Sequence, residues 1–264
     1  MIESSIVFLD SGIGGLPYLE WVRSHRPGLS LSYVADTANF PYGESAEAKT
    51  RKAVAATAER IFSAGTPGML VIACNTASVT ALEEVRKFAP CPVVGTVPAV
   101  KSAAGLPGPG PMGVLATQGT VNSPYLERLI ASFAPDRDVV RVAAGDIVRY
   151  VEERWLEKGE DGAMPVMERA LRELKSKGVG SVVLGCTHYL HVMDPIANFL
   201  GGGVVLVDSR DGVGRRILSL LDRGEAVVGT GGGGSFHVTA LLPNSGRYRE
   251  FAVRFGLEWA GELP

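Results

Sequence analysis

Short continuous runs of apolar, largely β-branched residues alternate along this chain with longer stretches of helical periodicity. The runs at 5–9, 31–35, 69–73, 92–97, 113–116, 139–142, 181–184 and 204–207 predict strands. Most lack in/out alternation, as parallel strands covered on both faces do. Between them, residues 17–26, 46–63, 77–88, 123–133, 147–157, 164–177 and 212–222 predict helices. A glycine-rich loop at 229–234 precedes a last strand, 235–242, and a last helix, 246–255. Repeated strand, loop and helix is the signature of an α/β fold with parallel sheets. In such sheets ligands bind beyond the carboxyl ends of the strands, so the loops there are the place to look for chemistry.

Two features bear on domain organisation. Residues 98–111 are rich in Gly, Pro and Ala and contain a turn-like run, Gly105-Leu106-Pro107-Gly108-Pro109-Gly110-Pro111. The segment Met69-Leu70-Val71-Ile72-Ala73-Cys74-Asn75-Thr76 is echoed by Val182-Val183-Leu184-Gly185-Cys186-Thr187-His188. Both are apolar strands that end in a small residue, a cysteine and two polar residues. Two similar halves facing one another would bring equivalent strand ends to one cleft. The 264 residues, 46% hydrophobic, lie near the size of ~250–300 residues at which single cores tend to split.

Charge and cysteine usage narrow the class. The formal net charge is -2 and there is no run of Lys or Arg, so neither nucleic acid nor an anionic membrane surface is an expected partner. The first apolar run is only strand-length and follows acidic Glu3, unlike a signal peptide. No apolar run approaches the ~20 residues of a membrane span. A soluble, cytoplasmic protein is expected. The three cysteines, Cys74, Cys91 and Cys186, show no CxxC spacing, which argues against disulfides and against a zinc site.

Cys74 and Cys186 each follow an apolar strand, where helix N-termini favour a thiolate. A single cysteine in such a place is usually inert packing. Two in matched contexts, each with hydroxyl or amide neighbours, favour chemistry. Cys91, between Pro90 and Pro92, has no polar company and reads as structural. Asp10-Ser11-Gly12-Ile13-Gly14-Gly15 follows the first strand, and its glycines permit close backbone approach to a ligand. A dinucleotide fingerprint is the rival, with Asp36 posing as the ribose-binding acid. Pro17 occupies the third glycine position, however, and Asp10 would set negative charge beside a pyrophosphate. Asp10 suits an ammonium group, or tunes a thiol. The segment from Asp36 to Gly43 has the composition of an ordinary turn. Ala116-Thr117-Gln118-Gly119-Thr120 offers either a carboxylate cradle or an N-cap and turn. His188, two residues after Cys186, can share that thiol's proton. His25, His191 and His237 read as surface or packing residues, and Glu152 and Glu153 as part of a solvated charged run.

If the strand ends converge, two thiols, Asp10, His188 and many hydroxyl and N–H donors share one site, with no metal set and no Schiff-base lysine. A Cys–His pair for acyl transfer would leave the second cysteine idle. Two thiols on opposite faces of one carbon use both. One thiolate removes the Cα proton and the opposite thiol returns a proton to the other face, inverting the carbon without a cofactor. Donors aimed at the substrate carboxylate must then stabilise the carbanion. A solute-binding protein of two facing lobes is the non-enzymatic alternative.

The motifs DSGIGGL from Asp10, PYGE from Pro41, ACNTAS from Ala73, GVLATQGTVNS from Gly113, LGCTHY from Leu184 and VDS from Val207 resemble, in order, those of the glutamate racemases of the aspartate/glutamate racemase superfamily. That resemblance implies two α/β domains facing across a cleft that holds the active site. The first would be built from both chain ends, 1–97 with 212–264, and the second from 98–211. It implies that Cys74 deprotonates D-glutamate and Cys186 L-glutamate, assisted by Asp10 and His188, with a glutamate at Glu152, or its neighbour Glu153, on the Cys186 side. Substrate contacts would fall to Asp10, Ser11, Tyr42, Gly43, Asn75, Thr76, Thr120, Thr187 and His188. The product D-glutamate would serve peptidoglycan synthesis, no cofactor or metal is expected, and a homodimer is left open. Relatives acting on aspartate or hydantoins make those the alternative substrates. The sequence departs from the family pattern in Leu190-His191 after Tyr189, in Pro98-Ala99, and in the stretch from Asp146 to Val151. Some members carry an N-terminal extension linked to activation by a cell-wall precursor. Asp10 lies so near the start that none is expected here.

Overall fold

The computed structural model describes residues 2–106, 108, 110–243 and 245–264. Pro107 and Pro109 of the turn-like run lie outside the described residues. The chain begins with β1 (Ile6–Asp10), α1 (Leu16–His25), β2 (Leu31–Ala35), α2 (Glu47–Ala64), β3 (Met69–Ile72), α3 (Asn75–Phe88) and β4 (Val93–Gly95). The middle comprises α4 (Val100–Ala104), β5 (Met112–Ala116), α5 (Gln118–Val121), α6 (Pro124–Phe133), β6 (Val139–Ala143), α7 (Gly145–Glu153), α8 (Trp155–Lys158), α9 (Met164–Ser176), β7 (Ser181–Leu184), α10 (Met193–Leu200) and β8 (Val205–Val207). The last elements are α11 (Arg210–Asp222), β9 (Ser235–Val238), α12 (Gly246–Arg254) and β10 (Glu258–Glu262). Two α/β units result, Met1–Thr96 with Arg210–Pro264, and Val97–Ser209.

The first unit holds a six-stranded sheet in the order β10-β9-β2-β1-β3-β4, and all its pairings are parallel. Every residue of β1, β2 and β3 is buried, which is why these strands read as unbroken apolar runs. The return of the chain into this unit is fixed by a close helix contact. A Cβ on Gly214 of α11 would meet the Trp21 ring of α1 at 2.0 Å, so only glycine lets the two helices approach. The second unit holds a parallel four-stranded sheet, β6-β5-β7-β8, whose central strands β5 and β7 are wholly buried.

Helices α4, α5 and α10 were not predicted, and three further elements differ from the sequence pattern. The helix predicted at 147–157 is two, because Arg154 leaves helical geometry (φ -125°, ψ -19°) between α7 and α8. The strand predicted at 235–242 stops at Val238, beyond which side chains take over the bonding. The Ala38 N–H donates to Thr239 Oγ1 at 3.1 Å, and the Thr37 hydroxyl to the Ala240 carbonyl at 2.7 Å. Strand β10 was not predicted at all. It is an edge strand, alternately exposed and half-buried, with a register shift at Gly261, and so carries no apolar run.

Close packing also sets the loops that precede the two paired cysteines. A Cβ on Gly15 would lie 2.7 Å from the Ala73 Cβ, so the loop after β1 presses on the residue before Cys74. The Tyr33 hydroxyl pins that loop, donating to the Gly12 carbonyl at 2.8 Å and accepting from the Gly15 N–H at 3.0 Å. In the other unit, a Cβ on Gly185 would lie 2.9 Å from the Ala116 Cβ, just before Cys186. No helix among the described residues is long and apolar enough to cross a membrane.

Candidate active site

Cys74 follows β3 and caps α3 in an extended conformation, φ -140° and ψ 126°. Cys186 follows β7 and caps the 3₁₀ turn Thr187–Val192 at φ -139° and ψ 135°. The two backbones therefore agree closely, although they belong to different units. Each thiol is buried, and each stands at the N-cap of a helical segment.

Around Cys74 the sheet register gathers the predicted residues of the first unit. Asp10 is the last residue of β1, which lies beside β3 with Leu9 opposite Ile72. Its buried carboxylate accepts from the Ser11 N–H at 2.5 Å and the Ser11 hydroxyl at 3.2 Å. Asn75 and Thr76 form the buried first turn of α3. Both polar atoms of the Asn75 side-chain amide are buried without a hydrogen-bond partner, an arrangement that costs ~1–3 kcal/mol per group unless a ligand answers it. Tyr42 and Gly43 lie in a 3₁₀ turn, and the buried Tyr42 hydroxyl donates to Asp36 Oδ2 at 2.5 Å. Burial first, then Asp36, then the charges of Cys74 and Asp10 push the Tyr42 pKa well above the usual tyrosine range, so its phenol stays a donor.

Asp36 is the residue the sequence undervalued here. Its buried carboxylate also accepts from Asn39 at 3.1 Å and from Thr239 at 2.6 Å, and so ties the Tyr42 turn to the chain's last segment. Composition alone made this segment an ordinary turn, because Thr239 is two hundred residues away.

In the second unit the contacts are direct. Cys186 Sγ lies 3.8 Å from His188 Nδ1, and His188 Nε2 lies 2.9 Å from Glu152 Oε1. Both His188 and Glu152 are buried. With Glu152 ionised, its carboxylate can only accept, which would put the proton on Nε2 and leave Nδ1 to exchange one with the thiol. Glu153, the next residue, is exposed. The signal that singles out Glu152 is present in the sequence. It lies four residues after Val148 on the buried face of α7, where a carboxylate needs a partner. Thr187 is buried beside Cys186, and Tyr189 donates its hydroxyl to the Ala144 carbonyl at 2.9 Å. Thr117 caps α5 and its hydroxyl donates to buried Thr120 Oγ1 at 3.2 Å, so the turn reading of this segment describes what it does locally. It follows β5, the strand beside β7.

The remaining candidates have local roles. His25 stacks on Trp21 at 3.6 Å, His191 packs edge-on to Trp155, and His237 meets Ser235 Oγ at 2.9 Å. Cys91 packs against the first unit's core, and burial pushes its thiol up to about 11. At neutral pH its thiolate fraction is then on the order of 10⁻⁴. Cys91→Ala is expected to leave activity within about twofold of the parent, because Cys91 belongs to neither set of contacts around Cys74 and Cys186. Peptide mapping after brief alkylation should find Cys91 the least modified of the three cysteines. Among the described residues no group of three or more His, Cys, Asp or Glu is arranged to hold a metal ion.

Known proteins resemble this chain along almost its whole length. The glutamate racemase of Treponema pallidum is 37% identical over 258 residues, covering 97% of this chain and 95% of its own. That of Escherichia coli K12 is 34% identical, covering 98% and 91%. A crystal structure of Escherichia coli glutamate racemase, in complex with L-glutamate and the activator UDP-MurNAc-ala, superposes with a TM-score of 0.89. It is 31% identical and covers 99% of this chain and 98% of that one. The profile of the Asp/Glu/Hydantoin racemase family matches residues 18–211. The chain belongs to the Asp/Glu/Hydantoin racemase family of isomerases, and within it stands with the glutamate racemases.

Proposed function

We propose that this enzyme interconverts L- and D-glutamate without a cofactor, using Cys74 and Cys186 as the two bases. The observation that carries the reading is the matched pair of thiols, each two residues past the end of a buried parallel strand and in nearly the same backbone conformation. A lone thiol at a strand end would be ordinary packing. Two held alike, with a His–Glu pair behind one and a carboxylate at the strand end beside the other, supply acid and base for one carbon.

In the D-to-L direction the Cys74 thiolate takes the Cα proton and becomes a thiol. The Cys186 thiol gives its proton to the opposite face and becomes a thiolate, which His188 stabilises or reprotonates. The reverse direction exchanges the roles. The Asn75 amide, the hydroxyls of Ser11, Thr76, Thr120 and Thr187, and the Tyr42-Gly43 turn bind and orient the amino acid. Their donors offset the charge that builds on the substrate carboxylate as the Cα–H bond breaks. Asp10, at the end of the neighbouring strand, would receive the ammonium group and share a proton with Cys74. Glutamate as the substrate rests on the relatives, one of which holds L-glutamate in its crystal. The cell would use the D-glutamate formed in the cytoplasm for peptidoglycan.

Circular dichroism of purified enzyme with L-glutamate alone should decay to zero, and D-glutamate should decay to the same end point. A flat signal at high enzyme concentration with reduced thiols would refute the proposed activity. Decay with aspartate or a hydantoin but not with glutamate would reassign the substrate.

A further inference from the structure

We propose that Ser78 is a positioning residue for Cys74, bracing the thiol from within the first turns of α3. The inference rests on Cys74 acting as a base. Serine or threonine inside a helix ordinarily faces solvent or bonds back to its own helix. Thr80 of the same helix does so, donating to the carbonyls of Thr76 at 2.9 Å and Ala77 at 3.2 Å. Ser78 does not. Its buried hydroxyl leaves the helix and donates to the Ile72 carbonyl, at the end of β3, at 3.0 Å. The same oxygen accepts from the Thr96 N–H, just past β4, at 2.9 Å. Its backbone N–H meanwhile donates to the Cys74 carbonyl at 2.9 Å.

Cys74 is thereby bracketed by two bonds to one residue. The carbonyl two positions before it takes the Ser78 hydroxyl, and its own carbonyl takes the Ser78 N–H. The strand end and the helix start cannot shift apart without breaking one of them, and the thiol rides on the Cα between. Thr96 extends the brace to the neighbouring strand.

The hydroxyl is not needed to keep these backbone groups paired. The Thr96 N–H also lies 3.2 Å from the Ile72 carbonyl, so the ladder bond survives its loss. Removing the hydroxyl should therefore cost alignment more than it costs folding. Catalytic groups demand close placement, and a 1 Å displacement can cost ~10²-fold. A loosened turn held by its remaining bonds should cost about tenfold in kcat/KM, part of that range.

The test compares Ser78→Ala, Ser78→Thr and Cys74→Ala in the full chain, using protiated and Cα-deuterated substrates. Ser78→Ala should lose about tenfold in kcat/KM, a fraction of the displacement penalty. Its isotope effect should rise when D-glutamate is the substrate and stay near the parent value with L-glutamate, since only the Cys74 step is impaired. Ser78→Thr, which keeps the hydroxyl, should restore both. Parent rates in Ser78→Ala would overturn the inference. So would an isotope effect that changes equally from both enantiomers, with a lowered Tm and no rescue by threonine, the pattern of a merely structural residue. Should Ser78→Ala not fold, Ser78→Cys retains a weak donor and acceptor there and should show the same one-sided isotope effect. Racemisation surviving in Cys74→Ala would instead refute the base assignment on which the inference rests.

Discussion

Cys74→Ala and Cys186→Ala should each abolish racemisation, with losses at or beyond the upper end of the ~10²–10⁴-fold expected for a positioned acid–base group. Each direction needs one thiolate and one thiol, so removing either group stops both directions. Alanine leaves no group at that face able to take or return a proton. Serine is the finer probe, because it keeps the shape but is a much weaker acid. The equilibrium constant is unity, so kcat/KM must fall equally in both directions for either serine variant. The asymmetry appears in the isotope effect. Cys74→Ser makes removal of the proton from D-glutamate limiting, so Cα-deuterated D-glutamate should react slowly relative to its protiated form. In the L-to-D direction the limiting step delivers a solvent-derived proton, and deuterium on L-glutamate should matter little. Cys186→Ser should show the mirror pattern. Initial rates from each enantiomer, followed by circular dichroism, measure both. Parent turnover in Cys74→Ala would defeat the two-base assignment.

Asp10→Asn and His188→Asn should each cost ~10²–10⁴-fold in turnover, or roughly 3–5 kcal/mol at ~1.4 kcal/mol per decade, with the fold retained. His188 is the better defined, since it stands 3.8 Å from Cys186 and 2.9 Å from Glu152. Asparagine removes its ability to exchange a proton with sulfur. Glu152→Gln should act in the same direction but less, since it leaves the imidazole and removes only the charge that holds the tautomer. Asp10→Asn should raise the isotope effect from D-glutamate, and His188→Asn from L-glutamate. If Asp10 only capped the glycine turn and His188 only packed, the variants would melt lower yet turn over normally per folded molecule. Thermal melts alongside initial rates distinguish the two.

Much of the fold was legible because its central strands are covered on both faces. Unbroken runs such as Met69–Ile72 and Ser181–Leu184 have one physical explanation in an α/β chain. Elements that escaped notice lacked that signature. Strand β10 lies at a sheet edge, and α10 opens with Asp194-Pro195, a pair that reads as a turn although proline is tolerated in a first helical turn. The candidate chemistry was legible where side chains follow strands directly, as with Asp10, Cys74 and Cys186. Contacts made across long separations were not. Asp36 takes its role from Thr239 and Tyr42, and Glu152 from its contact with His188, 36 residues on. Ser78 looked like one more polar residue of ACNTAS until its hydroxyl was found bonded outside its helix.

The claim that two bases act on opposite faces of one carbon is tested most directly in deuterium oxide. Protiated L- or D-glutamate is incubated with the enzyme and quenched early, and Cα deuterium is measured separately in substrate and product. Deuterium is expected in nearly every product molecule and in almost none of the remaining substrate, since the proton leaves to one thiol and a deuteron arrives from the other. Product that retains its original protium would show a single base serving both faces and would contradict the account.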